Sequence, residues 1–381
     1  MSSVRLRMIT RWFNAAVLLC LCLSRTGAAS SYTLIDLGTF GGSWSRAYAV
    51  NDAGDVVGVA QDPGGHDRAF LYSGGVMTDL GTLGGSSGWA YDINNAGQVT
   101  GFSAYNSSFH HAFLWQNGVM SDLGTLGTGQ NSMACAVNGS GGVAGRSTVT
   151  VKTHAFAYSN SAMTDLGTLG GVTSEAKDIN SLGHIVGMAY TSGGTTRAFL
   201  YSGGSMTDLG TLGGNQSAAR GINDSGAVVG WADTAGPDST SLAFLYKDGV
   251  MTGLGAFSGT SRALAVNDAG QVVGYSQVVS DGYPRAWIIT PEQAVSGGMV
   301  WYRDDDMDGL NDLMLDLNDL LPAGSGWVLR QAADINEDGW IVGWGTNPEG
   351  DLHGFVLVPE PATLALLALG APAVVLRRRR A

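Results

Sequence analysis

The chain repeats itself every 43 residues, and that period restricts the choice of fold more than any single motif does. Asp36, Asp79, Asp122, Asp165 and Asp208 each open the tripeptide D-L-G, and each lies 43 residues after the one before. Met77, Met120, Met163, Met206 and Met251 keep the same beat, with a final step of 45. A period of about 40–45 residues built from short strands and turns means one supersecondary unit per repeat, stacked as a propeller or a solenoid. A residue present in every unit is then expected to serve packing before chemistry.

The second unit shows the pattern. Trp89–Ile93, Gln98–Phe102, His111–Trp115 and Val119–Leu123 read as four strands. Asn94-Asn-Ala-Gly97 and Gln116-Asn117-Gly118 read as tight turns, with Asn and Gly expected to supply positive φ. Four short antiparallel strands make one propeller blade. The turn asparagines Asn51, Asn94, Asn138, Asn180, Asn223, Asn267 and Asn336 count seven units, and so do the third-strand aromatics Phe70, Phe113, Phe156, Phe199, Phe244, Trp287 and Phe355. The sequence therefore predicts an all-β, seven-bladed propeller of four-stranded antiparallel blades, with short helices only at the two ends. The seventh unit stops at His353–Leu357 without a fourth strand, and a spare strand, Tyr32–Leu37, precedes the first unit. Placing the spare strand in the seventh blade predicts a ring closed by the N-terminal strand, with no open sheet edge.

The runs D-L-G-T-L-G-G, H/R-A-F-L and I-N-x-x-G-x-V-x-G, spread over residues 32–357, resemble the HAF repeats of bacterial extracellular proteins. The resemblance implies a surface location and brings no enzymatic activity with it.

Both ends read as targeting segments, residues 1–29 and 359–381, around a repeat body at 30–358. Arg5, Arg7 and Arg11 precede the apolar stretch Trp12–Leu23, and the small residues Gly27 and Ala29 suit cleavage after Ala29. At the other end Pro359-Glu360-Pro361 breaks any regular element, residues 362–376 carry no charge, and Arg377, Arg378, Arg379 and Arg380 follow. As a helix those apolar residues would reach roughly 22 Å, short of the ~30 Å hydrocarbon core, so they suit a transient hold on the inner membrane with the arginines inside. This order of motifs resembles the PEP-CTERM sorting signal. The resemblance implies a Gram-negative source, an exosortase-type transpeptidase as partner, and delivery to the cell surface or the exopolysaccharide matrix.

Between the two ends the body holds 12 Lys+Arg against 31 Asp+Glu, a net charge of −19. Such a charge disfavours nucleic acid and anionic membrane and favours divalent cations. Only Cys135 lies in the body, so no disulfide can form within it.

Breaks in the period are the places to look for function. After the third strand of unit six an insertion runs over about 291–313 and contains D-x-D-x-D-G-x-x-D from Asp304 to Asp312. Alternating carboxylates on a tight loop converge on a hard cation, so Asp304, Asp306, Asp308, the carbonyl of Leu310 and Asp312 are candidate Ca²⁺ ligands. The loop resembles EF-hand and dockerin calcium loops but has Leu315 at the twelfth place instead of Glu, which leaves that place to a water or to Asp316. His111, His154 and His353 lack zinc spacing, and the histidines form no Ser/His/Asp set. Trp44, Trp89, Trp231, Trp301, Trp327, Trp340 and Trp344 lie outside the shared pattern and are candidates for stacking on sugar rings. The expected function is non-enzymatic: an exported surface or matrix propeller that binds exopolysaccharide or another envelope protein. The alternative, a glycan hydrolase or lyase, would need carboxylates from non-equivalent blades converging on the channel.

Overall fold

In the computed structural model, which describes residues 32–236, 240–278, 282–294 and 297–360, the repeats form seven four-stranded antiparallel sheets. Five sheets use four consecutive strands each, running from Ser45–Asp79 to Gly213–Gly255. These are blades 1 to 5. Blade 6 takes Ser261–Val266, Val272–Gln277 and Pro284–Ile289, and completes itself with Met314–Asp316 beyond the insertion. Blade 7 takes Val328–Ile335, Ile341–Thr346 and Leu352–Pro359, and its fourth strand is Tyr32–Asp36, paired so that Leu34 faces Leu357. One 3-10 turn, Leu317–Leu320, follows blade 6; the expectation of helices only at the ends is corrected there, while the ends themselves lie outside the described residues.

The third-strand aromatics are all completely buried. Each sits opposite a glycine of the second strand, as Phe70 faces Gly58 and Phe199 faces Gly187. The glycine is obligatory. A Cβ on Gly187 would lie 2.0 Å from the carbonyl oxygen of Glu175, because a bulge in the first strand pushes that backbone against it. In the first turn the positive φ belongs to the glycine alone, for example Gly97 at 72°; the expectation that Asn94 shares it is corrected. In the second turn both residues adopt it, Asn117 at 52° and Gly118 at 84°.

The turn asparagines have another task. Each side-chain Oδ1 accepts a backbone N–H four residues on, and each Nδ2 donates to the carbonyl of the matching asparagine in the next blade: Asn51 to Asn94, onward through Asn138, Asn180, Asn223 and Asn267, and from Asn336 back to Asn51 at 3.0 Å. A second set of links uses the serine that opens the first strand. Ser132, Ser174, Ser217 and Ser261 are buried and accept from the third strand of the preceding blade, and Ser45 does the same for Gly354 of blade 7. Buried polar side chains with both roles filled hold neighbouring blades in one register.

A third link lies on the outer part of every blade but the fifth. His111, His154 and His353 bond Asp122, Asp165 and Asp36 at 2.8 Å, and Arg197 and Arg285 take the same place toward Asp208 and Asp316. These histidines serve the blade.

Candidate functional site

Along each first strand burial alternates, so that every second side chain looks into the central channel. Long-range electrostatics agree. Tyr91 of blade 2 feels Glu175 of blade 4, and Cys135 of blade 3 feels Arg220 of blade 5. Groups coupled across an intervening blade share the lumen. The strands run in one direction, so the channel has two chemically different ends about 16 Å apart, five residues at ~3.3 Å each.

At the asparagine end the lumen is acidic. Asp92, Asp178 and Asp334 occupy the same position in blades 2, 4 and 7, at the first-strand bulge. Asp92 accepts the N–H of Ile93 at 2.8 Å and, across the blade boundary, that of Val137 at 2.7 Å. Asp178 likewise takes Ile179 and Ile222, both at 2.7 Å, and Asp334 takes Val50 at 3.0 Å. These bonds favour the charged form. Desolvation outweighs them and pushes Asp178 and Asp334 up to about 6; for Asp92 the negative charge of Asp178 adds to desolvation and the value reaches about 8. All three are half-buried and line the lumen. Outside them Asp52, Asp224, Asp268 and Glu337 form a rim, each receiving a backbone N–H from its neighbour, as Asp268 does from Asp224 at 2.8 Å. This mouth encloses about 360 Å³ and no Lys or Arg lines it.

At the other end the lumen is aromatic and basic. Trp89 lies 6.0 Å from Tyr48 in a stacked pair and 6.2 Å from both Trp44 and Tyr91. Phe102 extends the panel, stacked 6.0 Å from Trp89. Arg46 sits between Trp44 and Trp344 at 5.5 and 5.0 Å, and Arg262 lies 4.8 Å over Trp231. Beside the panel a groove of about 240 Å³ is lined by His110, Asn131, Ser132, Arg146, Thr148 and Thr153, among others.

Trp44, Trp89, Trp231 and Trp344 thus come together at one mouth. The other candidate tryptophans do not. Trp301 donates to the carbonyl of Gly270 at 2.8 Å, Trp327 packs edge-on against Phe355, and Trp340 closes over Gly54.

The acidic insertion brings carboxylate oxygens of Asp304, Asp306 and Asp312 within 4.8 Å of one another. Asp308 is outside that group and accepts the N–H of Leu310 at 2.9 Å. Met307 and Gly309, with φ of 57° and 81°, make the turn. Leu315 is fixed in the fourth strand of blade 6, opposite Ile288, and Asp316 is committed to Arg285 and to the N–H of Asn318. Of the two groups expected at the twelfth place, a water or Asp316, Asp316 is thus engaged elsewhere.

Residues 357–380 match the PEP-CTERM protein-sorting motif. The motif marks a protein exported to the envelope of a Gram-negative bacterium and handled by an exosortase. It covers Pro359, Glu360, Pro361 and Arg377 to Arg380; beyond Glu360 these lie outside the described residues, as does the apolar segment 362–376 read as a transient anchor. Among the described residues no helix is long and apolar enough to cross a membrane. No curated protein matches the chain. Among solved structures, TolB from Acinetobacter baumannii is similar at 14% identity with a TM-score of 0.42, covering 66% of this chain and 62% of its own. A gluconolactonase from Xanthomonas campestris is similar at 10% identity with a TM-score of 0.38, covering 86% and 90%. The chain thus spans about three fifths of TolB, and neither likeness carries function across.

Proposed function

We propose that the chain is a non-enzymatic propeller of the cell surface or extracellular matrix that binds exopolysaccharide or another envelope protein through one end of its channel. The observation that carries this reading is the panel of Trp44, Tyr48, Trp89, Tyr91 and Phe102 at one mouth. Trp44 and Trp89 have no aromatic counterpart at the matching places of the other blades, and the tyrosine shared by Tyr48 and Tyr91 recurs in blades 1 and 2 alone, so packing of the repeat does not account for the panel. Flat aromatic faces beside a hydroxyl- and amide-rich groove suit carbohydrate, which offers apolar ring faces edged by hydrogen-bonding groups. Sorting by the exosortase route and the resemblance to HAF repeats support the location.

The alternative, a glycan hydrolase or lyase, draws on Asp92, Asp178 and Asp334, which do converge on the lumen. Their oxygens bond backbone N–H groups of two adjacent blades, a clamp that leaves little freedom for proton transfer or attack. A pull-down of matrix polysaccharide by the purified chain, with analysis of released sugars, separates the readings. Retention without product supports binding; product release supports the enzyme. A Ca²⁺ ion held by Asp304, Asp306 and Asp312 is a further part of the proposal, and its role would be to order the insertion.

A further inference from the structure

The cations of the body are not spread over its surface. Arg46, Arg146, Lys177, Arg220, Arg262 and Arg330, half of the body's 12 Lys+Arg, lie on first strands or their immediate neighbours at the aromatic end of the channel. Two carboxylates accompany them, and one of these, Asp67, accepts the indole N–H of Trp89 at 3.1 Å. Glu175 is buried and neutralises Lys177 at 2.6 Å and Arg146 at 3.3 Å. Among the described residues, Arg46, Arg220, Arg262 and Arg330 have no carboxylate within ion-pair distance. Their surroundings are rings: Trp44 and Trp344 for Arg46, Trp231 for Arg262, and Tyr283 for Arg330 at 4.2 Å. Nε of Arg46, Nε of Arg220, Nη1 of Arg330 and Nε1 of Trp231 are buried donors with no acceptor. Desolvation is the largest influence on Arg220 and lowers its pKa; the charge of Glu175 opposes that shift and the nearby Arg262 adds to it.

Concentrating like charges in a half-buried lumen costs stability in a protein whose other surfaces are acidic. The outer arginines show the ordinary solution, since Arg68, Arg197 and Arg285 are each matched with an aspartate. We propose that the aromatic end of the channel is a binding site for an acidic saccharide, a pyranose chain carrying carboxylates of the uronate kind. Guanidiniums held over rings present their donors to a carboxylate, while Trp89 and Tyr48 offer faces to the sugar. The groove beside Arg146 adds Asn131, Thr148 and Thr153 for hydroxyls. A nucleic acid shares the anionic and stacking chemistry, but its unbroken row of phosphates would run on over a surface of net charge −19.

This assignment rests on the reading of the protein as a glycan-binding propeller. Its test is calorimetric titration of the purified chain with tetragalacturonate, beside a neutral tetrasaccharide, inorganic sulfate and a short single-stranded DNA. The expected result is saturable binding of tetragalacturonate that weakens with salt, at least tenfold tighter than for the other three probes. Arg262→Gln and Trp89→Ala should each weaken it about tenfold or more, the factor that ~1.4 kcal/mol gives, while Lys247→Gln, which removes an outer cation, should leave it unchanged. Thermal midpoints identify any variant that fails to fold, and Arg46→Gln is the second arginine variant. Absent binding, equal binding of sulfate or DNA, or unchanged affinity in both arginine variants overturns the proposal. If matrix polysaccharide is retained equally by wild type and by both arginine variants, the glycan-binding reading stands and this site assignment fails. If the wild type retains no glycan at all, both fail.

Discussion

The asparagine ring makes a prediction that tests the closed architecture as well as the bonds. Asn180→Ala lies inside the array and Asn336→Ala at the junction of blade 7 with blade 1. Each substitution removes two hydrogen bonds. For Asn180 they are Oδ1 from the N–H of His184 at 2.9 Å and Nδ2 to the carbonyl of Asn223 at 3.1 Å; for Asn336 they are Oδ1 from the N–H of Trp340 at 2.8 Å and Nδ2 to the carbonyl of Asn51 at 3.0 Å. Both side chains are buried, at 4% and 5% exposure, so water does not readily replace what is lost. Two bonds at about 1 kcal/mol each, and up to ~2 kcal/mol more for a stranded backbone N–H, give a cost of about 2–4 kcal/mol per variant. With a urea slope of ~3 kcal/mol/M, the midpoint should fall by about 1 M. The assay is equilibrium unfolding in urea followed by tryptophan fluorescence, with Ser181→Ala, an exposed turn position, as control. The two asparagine variants should agree within about 1 kcal/mol. A near-neutral Asn336→Ala beside a costly Asn180→Ala would show that the junction bears no load. Two near-neutral variants would refute the reasoning about the ring altogether.

Gly187→Ala places a Cβ 2.0 Å from the carbonyl oxygen of Glu175 and should cost about 1–3 kcal/mol; an unchanged thermal midpoint would count against the close-packed bulge. Asp178, Asp334 and Asp92 are raised to about 6, 6 and 8 in the folded chain, which therefore binds more protons than the unfolded chain between about pH 4 and 8. Their contribution is full below pH 4 and is lost as pH rises through 6 and 8, so the midpoint should fall between pH 5 and 8, and fall less in Asp92→Asn; equal declines would sink the assignment. Calorimetric titration with Ca²⁺ should show weak binding to the wild type, in the ~10⁻⁴–10⁻³ M range of extracellular modules, and none to Asp306→Ala, whereas identical traces would leave the insertion a solvated acidic turn. Mass spectrometry of surface-released protein should find no peptide from Thr363 to Ala381, and its recovery would exclude processing at the sorting motif.

The fold was legible because each unit repeats the same local instructions: glycine turns, an aromatic in the third strand, and a break after each fourth strand. The partnership between His or Arg of the third strand and Asp of the fourth was also written there. In unit five Leu242 stands in the first position and Gly253 in the second, so the two charges vanish together. The meaning of the turn asparagines was not legible, since a bond to the next blade looks in sequence like a turn preference. The two ends of the channel were hidden for a related reason. Arg46 and Arg262 are far apart in the chain, and only closure of the ring brings their blades around one lumen. A signal existed nonetheless. Counting five residues back from each turn asparagine gives Arg46, Trp89, Met133, Glu175, Ala218, Arg262 and Gln331, a column that varies while its neighbours repeat. Arg330 falls one place out of that column because of an additional irregularity between Leu329 and Gln331.

Blade 5 joins two departures from the period that seem unrelated along the chain. With Leu242 and Gly253 it has lost the outer charge pair that the other blades keep. The insertion of blade 6 docks at the same place. Asn311, buried in the insertion, donates to the carbonyl of Leu254 at 3.0 Å and to that of Trp301 at 2.8 Å. Leu245 and Leu254 of blade 5 share a buried apolar cluster with Leu313, against which Trp301 packs, and Lys247 lies 5.5 Å over the Trp301 ring. A retained aspartate at position 253 would stand beside Leu212, 3.4 Å from where its Cβ would lie, without its basic partner, at the cost of an uncompensated charge. The insertion also covers part of an outer strand that would otherwise present an open edge. Its acidic turn is thus carried on a base packed against two blades. Ordering the turn by a cation would change the rim of the propeller and leave the channel as it is.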